Sequence, residues 1–170
     1  MKQVVSAFAV AALSFGSAEA GLGGWSSEVE KDPFSGGQRV TVTNMTSFRS
    51  GVLIICDSSE QGLTVRIIPG FAASAELVGF EPQVEFAIDE KRIFGQAGET
   101  GSVGDNLAIS QTKLLPENAK IFVEAFATAK KQVAIRDGIS DRPHLMTARG
   151  STKSGADLVA CMKKQAVPTQ

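Results

Sequence analysis

Apolar and polar residues alternate with a period of two over most of the chain, and only two late stretches change to the helical period. Trp25, Ser27 and Val29 fall on one side of an extended segment and Ser26, Glu28 and Glu30 on the other, the pattern of a half-buried strand. Pro33 and Ser35-Gly36-Gly37 then turn the chain. Gln38–Met45 alternates again, with Val40 and Val42 opposed to Arg39, Thr41 and Thr43, so the two segments predict a hairpin. The unbroken run Val52-Leu53-Ile54-Ile55-Cys56 in Gly51–Asp57 predicts a strand buried on both faces near the middle of the domain. Leu63–Ile68 is a fourth strand, closed by Pro69-Gly70. Residues 71–81 follow neither period. Residues 83–89 alternate clearly, and Arg92-Ile93-Phe94 begins the hairpin partner. Residues 99–105, with Gly101 and Gly104, read as a loop before a short strand at 107–110.

Pro116-Glu117 opens a helix in favoured first-turn positions, and Ala119, Phe122, Val123 and Phe126 recur at i, i+3, i+4 and i+7 down to Lys130-Lys131 at its C-terminal end. Strands are expected at 132–137 and 144–148. A last helix starts near 151–154 and carries Leu158, Val159, Cys161 and Met162, ending at Lys163-Lys164, and the tail 165–170 is frayed. The fold class is therefore mainly β with two helices, an α+β chain: an antiparallel β-sandwich or barrel closed by a C-terminal helix. The 170 residues contain no repeat, low-complexity tract or Pro-rich linker, so residues 21–170 form one domain.

The first twenty residues have another character. Lys2 supplies a positive start, residues 4–15 are apolar apart from Ser6 and Ser14, and Ala18-Glu19-Ala20 is a small-x-small cleavage site, the arrangement of a cleaved secretory signal peptide over 1–20. The apolar run is too short for a span, which needs roughly 20 residues. No Cys stands near the cut, so the mature chain is expected to be periplasmic or secreted, with no stable membrane insertion. With 17 Lys+Arg against 18 Asp+Glu the net charge is -1, which provides no surface for neutralising phosphates and excludes nucleic acid as the expected partner.

Export changes the meaning of the two cysteines, Cys56 and Cys161. In an oxidising compartment they are expected to pair and staple the C-terminal helix to an early strand. The alternative is two buried thiols acting as small apolar side chains. Catalytic or metal chemistry has little to stand on, since the chain has no Cys-x-x-Cys and a single histidine, His144. His144 has no Gly-x-Ser-x-Gly elbow beside it and reads as a strand-end histidine with a satisfied hydrogen bond. Glu85, Asp89 and Glu90 are close in sequence, but Glu85 and Asp89 oppose the Val84/Phe86/Ile88 face and should meet solvent rather than form a carboxylate pair. No cofactor, metal or catalytic residue is expected. Trp25 is expected to anchor the new N-terminus by filling an edge of the core. Phe71, Leu77 and Phe80 lie in the segment that follows no period, and if it is exposed they form the candidate contact patch.

The order of these elements resembles a family. A leader, a first strand at Trp25-Ser26-Ser27, an apolar strand ending in Cys (Leu53-Ile54-Ile55-Cys56), the Val84-Glu85-Phe86-Ala87-Ile88-Asp89 strand and the Ala156-to-Cys161 helix resemble the VasI-like type VI secretion-associated periplasmic proteins. More distantly the chain is similar to the invasion-associated locus B proteins. It departs from the family pattern at Ala87, where an Arg is usual, and at Met162, where an aromatic follows the Cys. The resemblance implies a small exported β-protein without enzymatic activity. The expectation is a binding or accessory protein with a protein partner in the cell envelope, and the alternative is a proteinaceous inhibitor of an extracytoplasmic hydrolase.

Overall fold

A computed structural model describes residues 23–34 and 36–165. The expected leader at 1–20 and the tail beyond 165 lie outside the described residues. The elements in chain order are β1 (Ser26–Lys31), β2 (Gln38–Met45), β3 (Gly51–Asp57), β4 (Leu63–Ile68), a single 3-10 turn (Ala75–Leu77), β5 (Gln83–Ile88), β6 (Lys91–Ala97), β7 (Glu99–Val103), β8 (Leu107–Leu114), α1 (Pro116–Thr128), β9 (Gln132–Arg136), β10 (His144–Thr147) and α2 (Ser151–Lys164). Two antiparallel sheets result, a six-stranded one in the order β1-β2-β3-β4-β8-β7 and a four-stranded one in the order β10-β9-β5-β6. The sheets do not close on each other, so the architecture is the expected sandwich and not a barrel.

The large sheet turns Val40, Val42, Val52, Ile54, Cys56, Val65 and Ile67 inward, all of them fully buried. The small sheet covers part of that face with Val84, Phe86, Val133 and Ile135, and α1 and α2 fill the remainder. Phe122 of α1 packs edge-on to Phe86, with ring centroids 5.2 Å apart, and stacks on Phe126 at 5.8 Å. Trp25 stands edge-on to Phe126 at 4.9 Å, and its Nε1–H donates to the Thr147 carbonyl at 3.0 Å. The tryptophan therefore anchors the start of the domain, as expected.

α2 begins where two backbones nearly touch. Gly150 has φ +86, and a Cβ there would stand 2.1 Å from the Trp25 carbonyl oxygen, so both the conformation and the space demand glycine. One turn later a Cβ on Gly155 would lie 2.6 Å from the Ala127 Cβ, which sets how closely α2 approaches α1. Cys161, on the same buried side as Leu158, is bonded to Cys56 of β3. Gln165 finishes the attachment: its amide donates to the Asp57 and Gly62 carbonyls at 2.7 and 2.9 Å and accepts from the Gly62 N–H at 3.1 Å.

Five expectations are corrected. β3 is buried on one face only: Leu53 and Ile55 lie half-buried on the outer face of the large sheet, where no described element covers them. Residues 99–103, read as a loop, form edge strand β7, because pairing to β8 from Glu99↔Gln111 to Val103↔Leu107 supplies what burial does not. β8 is correspondingly longer than expected, reaching Leu114. α1 stops at Thr128, so Lys130 and Lys131 are not in its last turn; the carboxylate of Asp89 accepts the N–H groups of Lys130, Lys131 and Gln132 at 2.8, 2.7 and 3.0 Å and draws the chain into β9 instead. Val29 is also exposed, since β1 is an edge strand whose inner face α2 covers only at its start.

Closing a loop of 105 residues is worth about 4.7 kcal/mol in the chain-entropy account. Replacing Cys56 and Cys161 by Ala is expected to lower unfolding free energy by about 4 kcal/mol in urea melts. A loss under about 1 kcal/mol would contradict that role.

Candidate functional site

Four of the exposed large apolar side chains stand on two segments, the β2–β3 turn and residues 71–80. The β3–β4 register places Gly51 opposite Ile68, so the β2–β3 hairpin and the exit from β4 lie side by side. A Cβ on Gly70 would stand 3.3 Å from Ser50 Cβ, so the 70–80 segment starts against that hairpin. On these segments Phe48 is 95% exposed, Val78 84%, Phe80 46% and Phe71 42%. Leu77 is half-buried at the end of the 3-10 turn. The candidate patch of Phe71, Leu77 and Phe80 is thus on the surface, with Leu77 its least exposed member. Phe48 and Val78 belong with it and had not been singled out from the sequence. One large apolar residue in an otherwise polar turn, Ser47-Phe48-Arg49-Ser50, is the signal that could have found Phe48.

Both segments are held in shape. Ser47 Oγ accepts the N–H groups of Arg49 and Ser50 at 3.2 and 3.1 Å, and the Ser50 carbonyl accepts those of Thr46 and Ser47 at 3.0 and 3.1 Å. The Thr100 hydroxyl of β7 bonds to the carbonyls of Leu77 and Phe80. Between the 3-10 turn and β7 lies an open groove of about 390 Å³. Phe34, also exposed, is at the opposite end, on the β1–β2 hairpin, and takes no part.

The polar groups that invited chemical readings are engaged in hydrogen bonds and ion pairs within the fold. Glu85 is on the outer face of the small sheet, as expected, but between Arg92 at 2.8 Å and Arg136 at 2.7 Å. Asp89 is in the β5–β6 turn with φ +48, occupied by the three backbone amides after α1. The two carboxylates do not form a facing pair. His144 Nε2 lies 2.8 Å from Oδ2 of Asp137, whose carboxylate also accepts the Ser140 hydroxyl at 2.6 Å and the N–H groups of Ile139 and Ser140 at 3.0 and 2.8 Å. An ionised carboxylate can only accept, so Nε2 carries the proton toward it. Ser140 bonds to the aspartate and not to the imidazole, so no nucleophile–base pair forms here. Among the described residues no group of His, Cys, Asp and Glu side chains could hold a metal ion.

The chain matches no family model, no curated protein and no solved structure. Among the described residues no helix is long and apolar enough to cross a membrane.

Asp57, Asp89 and Asp137 are all held below the ordinary carboxylate value of 3.8. For Asp57 the cause is the Ser59 hydroxyl and amide, and for Asp89 the amides of Gln132, Lys130 and Lys131. Burial works to raise Asp137, and the hydrogen bonds from His144, Ser140 and Ile139 outweigh it. A depressed folded value means that stability is fully present above the unfolded value near 3.9 and is lost as pH falls through the folded one. The urea midpoint is expected to drop below about pH 4. Asp137→Asn should cost about 2 kcal/mol at pH 7 and less in acid, where the native carboxylate protonates. An equal cost at pH 7 and pH 3 would contradict this assignment.

Proposed function

We propose that the chain is an exported, non-enzymatic protein of the bacterial cell envelope that acts by binding a protein partner through the aromatic end of its sandwich. The observation that carries the reading is the set of exposed apolar side chains on two held segments, Phe48 on one and Phe71, Val78 and Phe80 on the other. Exposed apolar groups this large cost solubility unless something covers them. Segments with their backbone groups already satisfied lose little entropy when something does. Export is supported by the signal-like first twenty residues, and a periplasmic or secreted location suits the buried Cys56–Cys161 bridge. The resemblance to VasI-like proteins suggests a secretion system as the setting.

A second reading rests on the β2–β3 hairpin. A tip that offers Phe48 and Arg49 on a hydrogen-bonded turn has the form of a loop inserted into a hydrolase cleft. An inhibitor of an extracytoplasmic hydrolase would use Phe48 as its anchor and depend little on Phe80.

Phe48→Ser and Phe80→Ser should leave stability within about 0.5 kcal/mol. Each should weaken capture of a partner from envelope extracts about tenfold or more, as expected for buried aromatic anchors. Parallel pull-downs with wild type and both variants measure this. Identical protein profiles from all three would overturn the binding role of this end. Inhibition of a cell-wall hydrolase or protease that Phe48→Ser abolishes and Phe80→Ser preserves would favour the inhibitor.

A further inference from the structure

The outer face of the small sheet carries a groove that the aromatic end does not explain. Two rows of side chains cross it. Gly95, Glu85 and Arg136 stand opposite one another on β6, β5 and β9, and the next row holds Arg92, Ala87, Ala134 and Leu145. Arg92 reaches this face because of a bulge. Phe86 pairs with Phe94 and Ala87 with Arg92, which leaves Ile93 as the extra residue. In an unbulged ladder Ile93 would pair with Ala87 on the outside and Arg92 would turn to the core side.

Both guanidiniums close on one carboxylate. Arg92 Nη2 lies 2.8 Å from Glu85 Oε1, and Arg136 Nη1 lies 2.7 Å from Oε2. Gly95 leaves the room for this, since a Cβ there would stand 3.3 Å from Arg92 Nη2. Exposed ion pairs contribute little stability. The fixed geometry of two arginines is the more informative feature. Glu85 engages one nitrogen of each, and a guanidinium has five N–H donors, on side chains 68% and 60% exposed. The three charges sum to +1. Beside them the two alanines form a floor, Pro143 and Leu145 flank it, and the cavity measures about 430 Å³.

We propose that this groove binds an acidic segment of a protein partner, its carboxylate bridged by Arg92 and Arg136 and a neighbouring apolar side chain resting on Ala87 and Ala134. A planar, singly charged acceptor matches two forked donors and the net +1. A phosphate dianion would add a second negative charge close to Glu85. The site is on a different face from the aromatic end and does not depend on that reading.

The test is an amide NMR titration of the disulfide-bonded protein with the peptide acetyl-Ala-Leu-Glu-Leu-Ala-amide, its Gln counterpart and inorganic phosphate. The Glu peptide should shift the amides of Ala87, Arg92, Ala134 and Arg136. The Gln peptide, and the Glu peptide on Arg136→Gln, should bind about tenfold more weakly or worse. Affinity should fall as salt rises. Equal binding of the two peptides to wild type would overturn the proposal without reference to any variant, as would shifts confined to other surfaces. Phosphate binding at the same amides as tightly as the Glu peptide would overturn it too, because the groove would then be a general anion site.

Discussion

Cys56 and Cys161 are both fully buried, and the bond between them holds α2 against the inner face of the large sheet. That face is wider than the four-stranded sheet can cover, so α2 must lie over β1, β2 and β3 for Val40, Val42 and Ile54 to leave water. Other contacts of the helix depend on its being there. Gly150 admits the Trp25 backbone, Gly155 admits α1, Ser27 Oγ donates to Asp157 at 2.5 Å, and Gln165 closes on the β3–β4 turn. The loop between the two cysteines contains β4 to β10 and α1, so one covalent bond constrains most of the domain.

Much of this was legible because burial on one face leaves a period in the sequence. β1, β2 and β5 are legible by alternation, β4 by the Pro69-Gly70 that ends it, and α1 by Pro116-Glu117 and the spacing of Ala119, Phe122, Val123 and Phe126. What escaped follows other physics. β7 reads Glu-Thr-Gly-Ser-Val, with nothing to bury, and exists through its ladder to β8. The run in β3 looked buried on both faces because Leu53 and Ile55 are apolar, yet an outer sheet face accepts apolar side chains without a cover. The end of α1 was misplaced because Lys130-Lys131 suits a helix terminus, whereas the Asp89 carboxylate, forty residues earlier in the chain, competes for those amides.

The surfaces divide in the same way. Phe71, Leu77 and Phe80 stand out because their segment fits no period, and it leaves β4 against the β2–β3 hairpin that carries Phe48 and runs on to β7. The arginine groove could not be read from spacing: a bulge decides which way Arg92 faces, and pairing across three strands brings it to Glu85 and Arg136. The aspartates that look chemical, Asp137 and Asp89, accept backbone amides of the scaffold, and the histidine is hydrogen-bonded to Asp137.

The most direct measurement is the mass of the protein purified from the periplasm and treated with a thiol alkylating reagent under denaturing conditions, with and without reductant. The account predicts a chain beginning at Gly21 that takes up no reagent until reduced and then takes it up at both Cys56 and Cys161. A full-length chain alkylated without reduction would contradict both the export and the bond on which the fold depends.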